Sequence, residues 1–92
     1  MTARRPRLHE LLTDTADRLP GVYPRAILTP ARLAFIAQLA VWNAYQTYGE
    51  PTPEMAADTK ALHHVFNHLR INGDTRAAYA ERLRQAAKAR RR

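Results

Sequence analysis

Ninety-two residues with a formal net charge of +7 and no cysteine support one modest hydrophobic core and exclude disulfide-stapled or cysteine-zinc scaffolds. Serine is absent as well, so neither a serine nor a cysteine nucleophile is available for covalent catalysis. The charge balance points instead to an anionic partner.

The length predicts a single helical domain over residues 1–92, with 1–5 and 89–92 as flexible basic ends. Arginine outnumbers lysine thirteen to two and alanine is abundant, a bias that helices tolerate and that GC-rich coding in a bacterium or phage favours. The basic start "MTARRPR" runs into an acidic amphipathic segment rather than an apolar stretch. No export signal is therefore expected, and the expected location is cytoplasmic.

Taken in chain order, Pro6 to Leu19 sets Leu8, Leu11, Leu12, Thr15 and Leu19 on one side at helical spacing, with Glu10, Asp14, Asp17 and Arg18 elsewhere. This is a first, amphipathic helix. Pro20 to Pro30 holds three prolines and a glycine, which predicts a connector whose Val22, Tyr23, Ile27 and Leu28 cover the end of the bundle.

Thr29-Pro30 and Thr52-Pro53 each give a capping hydroxyl followed by a proline at the first helical position. They predict a second helix from Pro30 to Tyr48, stopped at Gly49, and a third from Pro53 to Ile71, stopped at Asn72-Gly73. Asp74 is the expected cap of a last helix, and the "NGD" link predicts a C-terminal αα-hairpin of helices three and four.

The stretch Leu33 to Tyr45 carries thirteen residues without a charge. It is shorter than the roughly 18 apolar residues of a membrane span and is interrupted by Gln38 and Asn43, so no membrane is expected. Leu33, Ile36, Ala37, Ala40 and Ala44 form one face, while Phe35, Leu39 and Trp42 lie nearly opposite. A helix apolar all round needs neighbours on every side, which predicts helix two as the central element of an all-α, small four-helix bundle. The alternative leaves Phe35, Leu39 and Trp42 for a protein partner or a second copy of the chain.

In "HHVFNH", His64 and His68 stand four apart on one helical face, a spacing that suits two imidazoles on one zinc ion. Val65 follows His64 where the hydrolytic zinc pattern needs a glutamate. Two ligands make no site, so neither metal nor cofactor is expected, and His64 and His68 are read as interface residues on the Ala57, Ala61, Ile71 side. The carboxylates sit in solvated helical contexts and the three glycines are isolated in turns, so neither acid–base nor nucleotide chemistry is indicated. The protein is expected not to be an enzyme.

Positive charge is densest at the ends. Arg82, Arg84, Lys88, Arg90, Arg91 and Arg92 place six cations in the last eleven residues without an acid, and Arg4, Arg5 and Arg7 open the chain. Arg84, Lys88 and Arg91 share a stripe able to follow a phosphate backbone. The sequence thus predicts a non-enzymatic basic helical protein that contacts nucleic-acid phosphates, DNA or RNA, without sequence specificity. Its expected place is as an accessory subunit of a nucleoprotein assembly. The competing expectation is a phage or mobile-element adaptor or inhibitor docking on a larger bacterial complex.

Overall fold

The computed structural model describes residues 5–47 and 49–91. It holds four helices: α1 (Leu8–Arg18), α2 (Pro30–Tyr45), α3 (Pro53–His68) and α4 (Arg76–Arg90). The all-α, four-helix reading stands. Within the described residues the only β-type pairing is one isolated antiparallel bridge between Ile27 and Thr75.

Threonine hydroxyls start three of the helices. Thr29 accepts from the Arg32 amide at 3.2 Å and Thr52 from the Met55 amide at 3.3 Å, each before a proline, as the sequence predicts. The cap of α4 is Thr75 rather than Asp74, accepting from the Ala78 amide at 3.1 Å. Asp74 instead accepts from the Asn72 amide at 3.1 Å and from the Arg82 guanidinium, which shapes the turn rather than the helix end.

The ends fall short of the expected ones. α2 stops at Tyr45 because Gln46 turns into the left-handed region at φ 52° and its amide reaches back to Asn43. Helical geometry therefore ends before Gly49. α3 stops at His68, with Leu69 as its C-terminal cap. At the other end of the chain, α4 continues through Arg90 into the segment 89–92 expected to be loose.

The central helix is α1, not α2. It packs against α2, α3 and α4, whereas α2 meets only α1 and α3 closely, and α3 and α4 make no close backbone approach. Its buried stripe, Leu11, Leu12, Thr15, Ala16 and Leu19, is broad enough to face several neighbours. Ala16 on α1 and Ala80 and Ala87 on α4 are also buried, and side chains this small permit a short interhelical distance. The Thr15 hydroxyl donates to the Leu11 carbonyl at 2.8 Å, so its burial leaves no donor unpaired.

The expected αα-hairpin is thereby replaced by two helices that both lean on α1. They are tied only near their junction, where the Tyr79 hydroxyl donates to the Leu69 carbonyl and Arg82 Nη1 to the Arg70 carbonyl at 3.0 Å. Since a helix-turn-helix reader packs its two helices on each other, α3 and α4 do not form that unit.

The proline-rich connector is pinned rather than free. Its Ala26 and Pro24 carbonyls accept from the amides of Arg76 and Ala77 at 2.9 and 3.0 Å, and the Leu28 amide donates to Asp74. Together with Thr75 these bonds satisfy the first amides of α4. Of the four side chains expected to cover the bundle, only Leu28 turns inward; Val22, Tyr23 and Ile27 stand exposed. Ile27 and Leu28 alternate outward and inward about the Ile27–Thr75 bridge, whereas Val22 and Tyr23 sit in the turns that precede it.

Candidate nucleic-acid interface

The basic residues singled out in the sequence divide into those bound to carboxylates and those left for a partner. Arg5 forms an ion pair with Asp58, Arg82 with Asp74, and Arg84 with Asp17 and Glu81. Arg82 also bridges the α3–α4 junction and lies over the Tyr79 ring at 5.4 Å. These three act inside the fold. Arg4 and Arg92 lie outside the described residues.

Of the stripe Arg84, Lys88, Arg91, the two arginines lie beside α1. Arg84 meets Asp17 at 3.3 Å, and Arg91 lines a shallow depression with Glu10, Asp14 and Asp17. A phosphate approaching there would meet the acidic face of α1, so the stripe is partly neutralised. Lys88 is fully exposed and makes no ion pair among the described residues. Arg7, at the N-terminal cap of α1, is exposed too.

Arg90 points another way. It closes a cleft of about 390 Å³ whose other walls are Leu8 of α1 and Ala57, Lys60, Ala61, His64 and Val65 of α3. No carboxylate lines this cleft. Ala57 and Ala61 keep it open, because larger side chains there would fill it. His64 and His68 meet edge to face with ring centroids 4.8 Å apart, both exposed on the same side of α3. Among the described residues, no group of three or more histidines, cysteines or carboxylates is placed to hold a metal ion.

From Lys60 to Arg70 the chain carries Lys60, His63, His64, His68 and Arg70 and no acid. Of this run, the sequence reading singled out only His64 and His68, as interface residues, because it looked for positive charge at the termini. The signal was present in the absence of carboxylates. The last acid before it, Asp58, is already engaged by Arg5 and by the Tyr45 hydroxyl. Burial and that contact raise the Tyr45 phenol above its usual value, and the same carboxylate raises the Arg5 guanidinium, so both stay protonated.

The expected apolar contact residues are also placed. Phe35 is 53% and Leu39 40% exposed, with the Arg32 guanidinium 5.7 Å from the Phe35 ring centroid. Trp42 is half-buried and leans on the core. No helix among the described residues is long and apolar enough to cross a membrane. Comparison with protein-family models, with curated proteins and with solved structures yields no significant match, so the residues themselves carry the functional argument.

Proposed function

We propose that this protein contacts nucleic-acid phosphates as a non-enzymatic, accessory component of a larger nucleoprotein assembly. The observation that carries the reading is the cleft bordered by the start of α1, by α3 and by the end of α4, with Lys60, His64 and Arg90 around it and no lining carboxylate among the described residues. Lys88 and Arg7 are exposed elsewhere on the surface and add to the overall positive field. Arginine and lysine bind phosphate through charge-assisted hydrogen bonds, and each neutralised phosphate releases counterions.

The proposed contact set is therefore Lys60 and His64 of α3, with Lys88 and Arg90 kept from the C-terminal cluster. Arg5, Arg82 and Arg84 hold the helices that carry it. A small cleft with basic side chains at its border and an apolar lining of Leu8, Ala57, Ala61 and Val65 suits backbone positioning, not base reading.

The test is a salt titration of binding to short single- and double-stranded DNA and RNA, run beside the combined variant Lys60→Gln, Lys88→Gln, Arg90→Gln. Affinity is expected to fall steeply with salt, and the variant to flatten the logarithmic slope by about 2 to 3, near 0.7 to 0.9 per lost phosphate contact. Wild-type binding that is absent at low salt, or a slope unchanged in the variant, overturns the proposal.

A further inference from the structure

A second surface lies on the other side of α3, where it faces α2. Two depressions, of about 310 Å³ and about 430 Å³, meet at His63, which lines both. Along α2 the wall follows one helical stripe through Pro30, Ala34, Gln38 and Trp42. At 1.5 Å per residue this stripe is roughly 18 Å long, about three helical turns. The floor is apolar, with Leu33 and Phe66 at one end and Met55 at the other. The His63 ring stands edge-on to Phe66 at 5.6 Å.

The rim has a single sign of charge. Lys60, His63 and Arg70 line the groove, and no carboxylate does. Beyond the rim on α2, exposed Phe35 and Leu39 continue the apolar surface toward solvent. An elongated apolar floor with a basic border selects an occupant that is apolar on one face and acidic at its flanks.

We infer that the α2–α3 groove docks an acidic amphipathic helix of a protein partner. Such a helix sets apolar anchors at i, i+3, i+4 and i+7 into the groove, and its flanking carboxylates meet Lys60, His63 and Arg70. Two other occupants fit less well. A second copy of this chain brings its own cationic rim, and like charges across an interface disfavour pairing. A nucleic-acid backbone would pair with the basic rim alone and leave the long apolar floor of Leu33, Phe66 and Met55 uncovered.

The test uses three capped synthetic peptides of about 16 residues, enough for the groove length. One is amphipathic with leucine and phenylalanine on one face and glutamate at the flanks. The second has the same apolar face with lysine at the flanks, and the third is a scramble of the first. The acidic peptide is expected to bind saturably, to change Trp42 fluorescence, and to shift the amide resonances of Ala34, Gln38, His63 and Asn67. The lysine and scrambled peptides are expected to bind at least about tenfold more weakly.

Gln38 and Arg70 are exposed, so the combined variant Gln38→Glu, Arg70→Gln keeps the fold, verified by its thermal transition, while losing acidic-peptide affinity. Because the variant lowers the net charge by two, its oligonucleotide affinity is expected to drop slightly, while the salt slope, set by the cleft contacts that include Arg90, is expected to stay unchanged within error, which separates this groove from that cleft. The inference is overturned by no saturable binding at about 1 mM peptide, or by equal binding of the lysine peptide. Shifts outside the groove, self-association through it, or its occupation by an oligonucleotide instead of the peptide overturn it as well.

Discussion

Arg5 donates to both carboxylate oxygens of Asp58, with Nη2 2.9 Å from Oδ1 and Nε 3.4 Å from Oδ2, joining residues fifty-three apart in sequence. The Tyr45 hydroxyl donates to the same side chain, so one carboxylate gathers the N-terminal segment, the end of α2 and α3. A basic residue near a chain terminus is here a strut. Its charge is spent before any polyanion arrives.

Asp58→Asn is expected to release Arg5 for phosphate while keeping an acceptor for Tyr45. The salt dependence of oligonucleotide binding should then steepen by about 0.7 to 0.9, one additional phosphate contact. Measuring the slope for Asp58→Asn and for the double variant Asp58→Asn, Arg5→Gln checks the origin of the gain, which the second change is expected to cancel.

The two arginines of α4 that look alike in sequence are expected to behave differently. Arg84 sits between Asp17 and Glu81, and Arg90 closes the cleft opposite Lys60 and His64. Arg84→Gln is expected to leave the salt slope within error of the wild type. Arg90→Gln is expected to lower it by about 0.7 to 0.9. The reverse ranking in a side-by-side titration would return the interface to the face of α4 along α1.

Helix existence and identity were readable from local chemistry: the Thr-Pro starts and the 3.6-residue stripe of α1 through Leu11, Leu12, Thr15 and Leu19 appear as expected. The arrangement was not, because it depends on which stripe is broad enough to serve several neighbours. The apolar girth of α2 suggested centrality, yet Phe35 and Leu39 face outward and α1 takes the middle. The site was half legible for a related reason. Counting cations locates charge, but the pairings Arg5–Asp58, Arg82–Asp74 and Arg84–Asp17 join residues whose proximity only tertiary structure creates.

Tyr79 gives a pH dependence of known sign. Its hydroxyl donates to the Leu69 carbonyl, and burial pushes the phenol from 10.0 up to about 12. A folded-state value above the unfolded one means that the protonated phenol stabilises the fold. That contribution is complete below pH 10 and is lost as the pH rises through about 12, and it amounts to about 3 kcal/mol. Tyr79→Phe is expected to cost about 1 to 2 kcal/mol at pH 7, since the Leu69 carbonyl loses its donor. Denaturant titrations from pH 8 to about pH 11.5 are expected to show a smaller alkaline loss in the variant, with Tyr45, also raised, accounting for part of the remainder.

The central position of α1 is tested by comparing two apolar truncations of similar chemistry. Leu12 is fully buried and belongs to the core cluster shared by all four helices. Removing its branch deletes buried apolar atoms and leaves a cavity, so Leu12→Ala is expected to cost roughly 3 kcal/mol, a large share of the stability of a domain this small. Leu39→Ala, on the outward face of α2, is expected to cost about 0.5 kcal/mol. Urea unfolding at pH 7 decides between the two arrangements: a strong preference for Leu12 follows from a hub at α1, whereas comparable costs would mean that α2 is enclosed in solution and that Leu39 is covered by another surface.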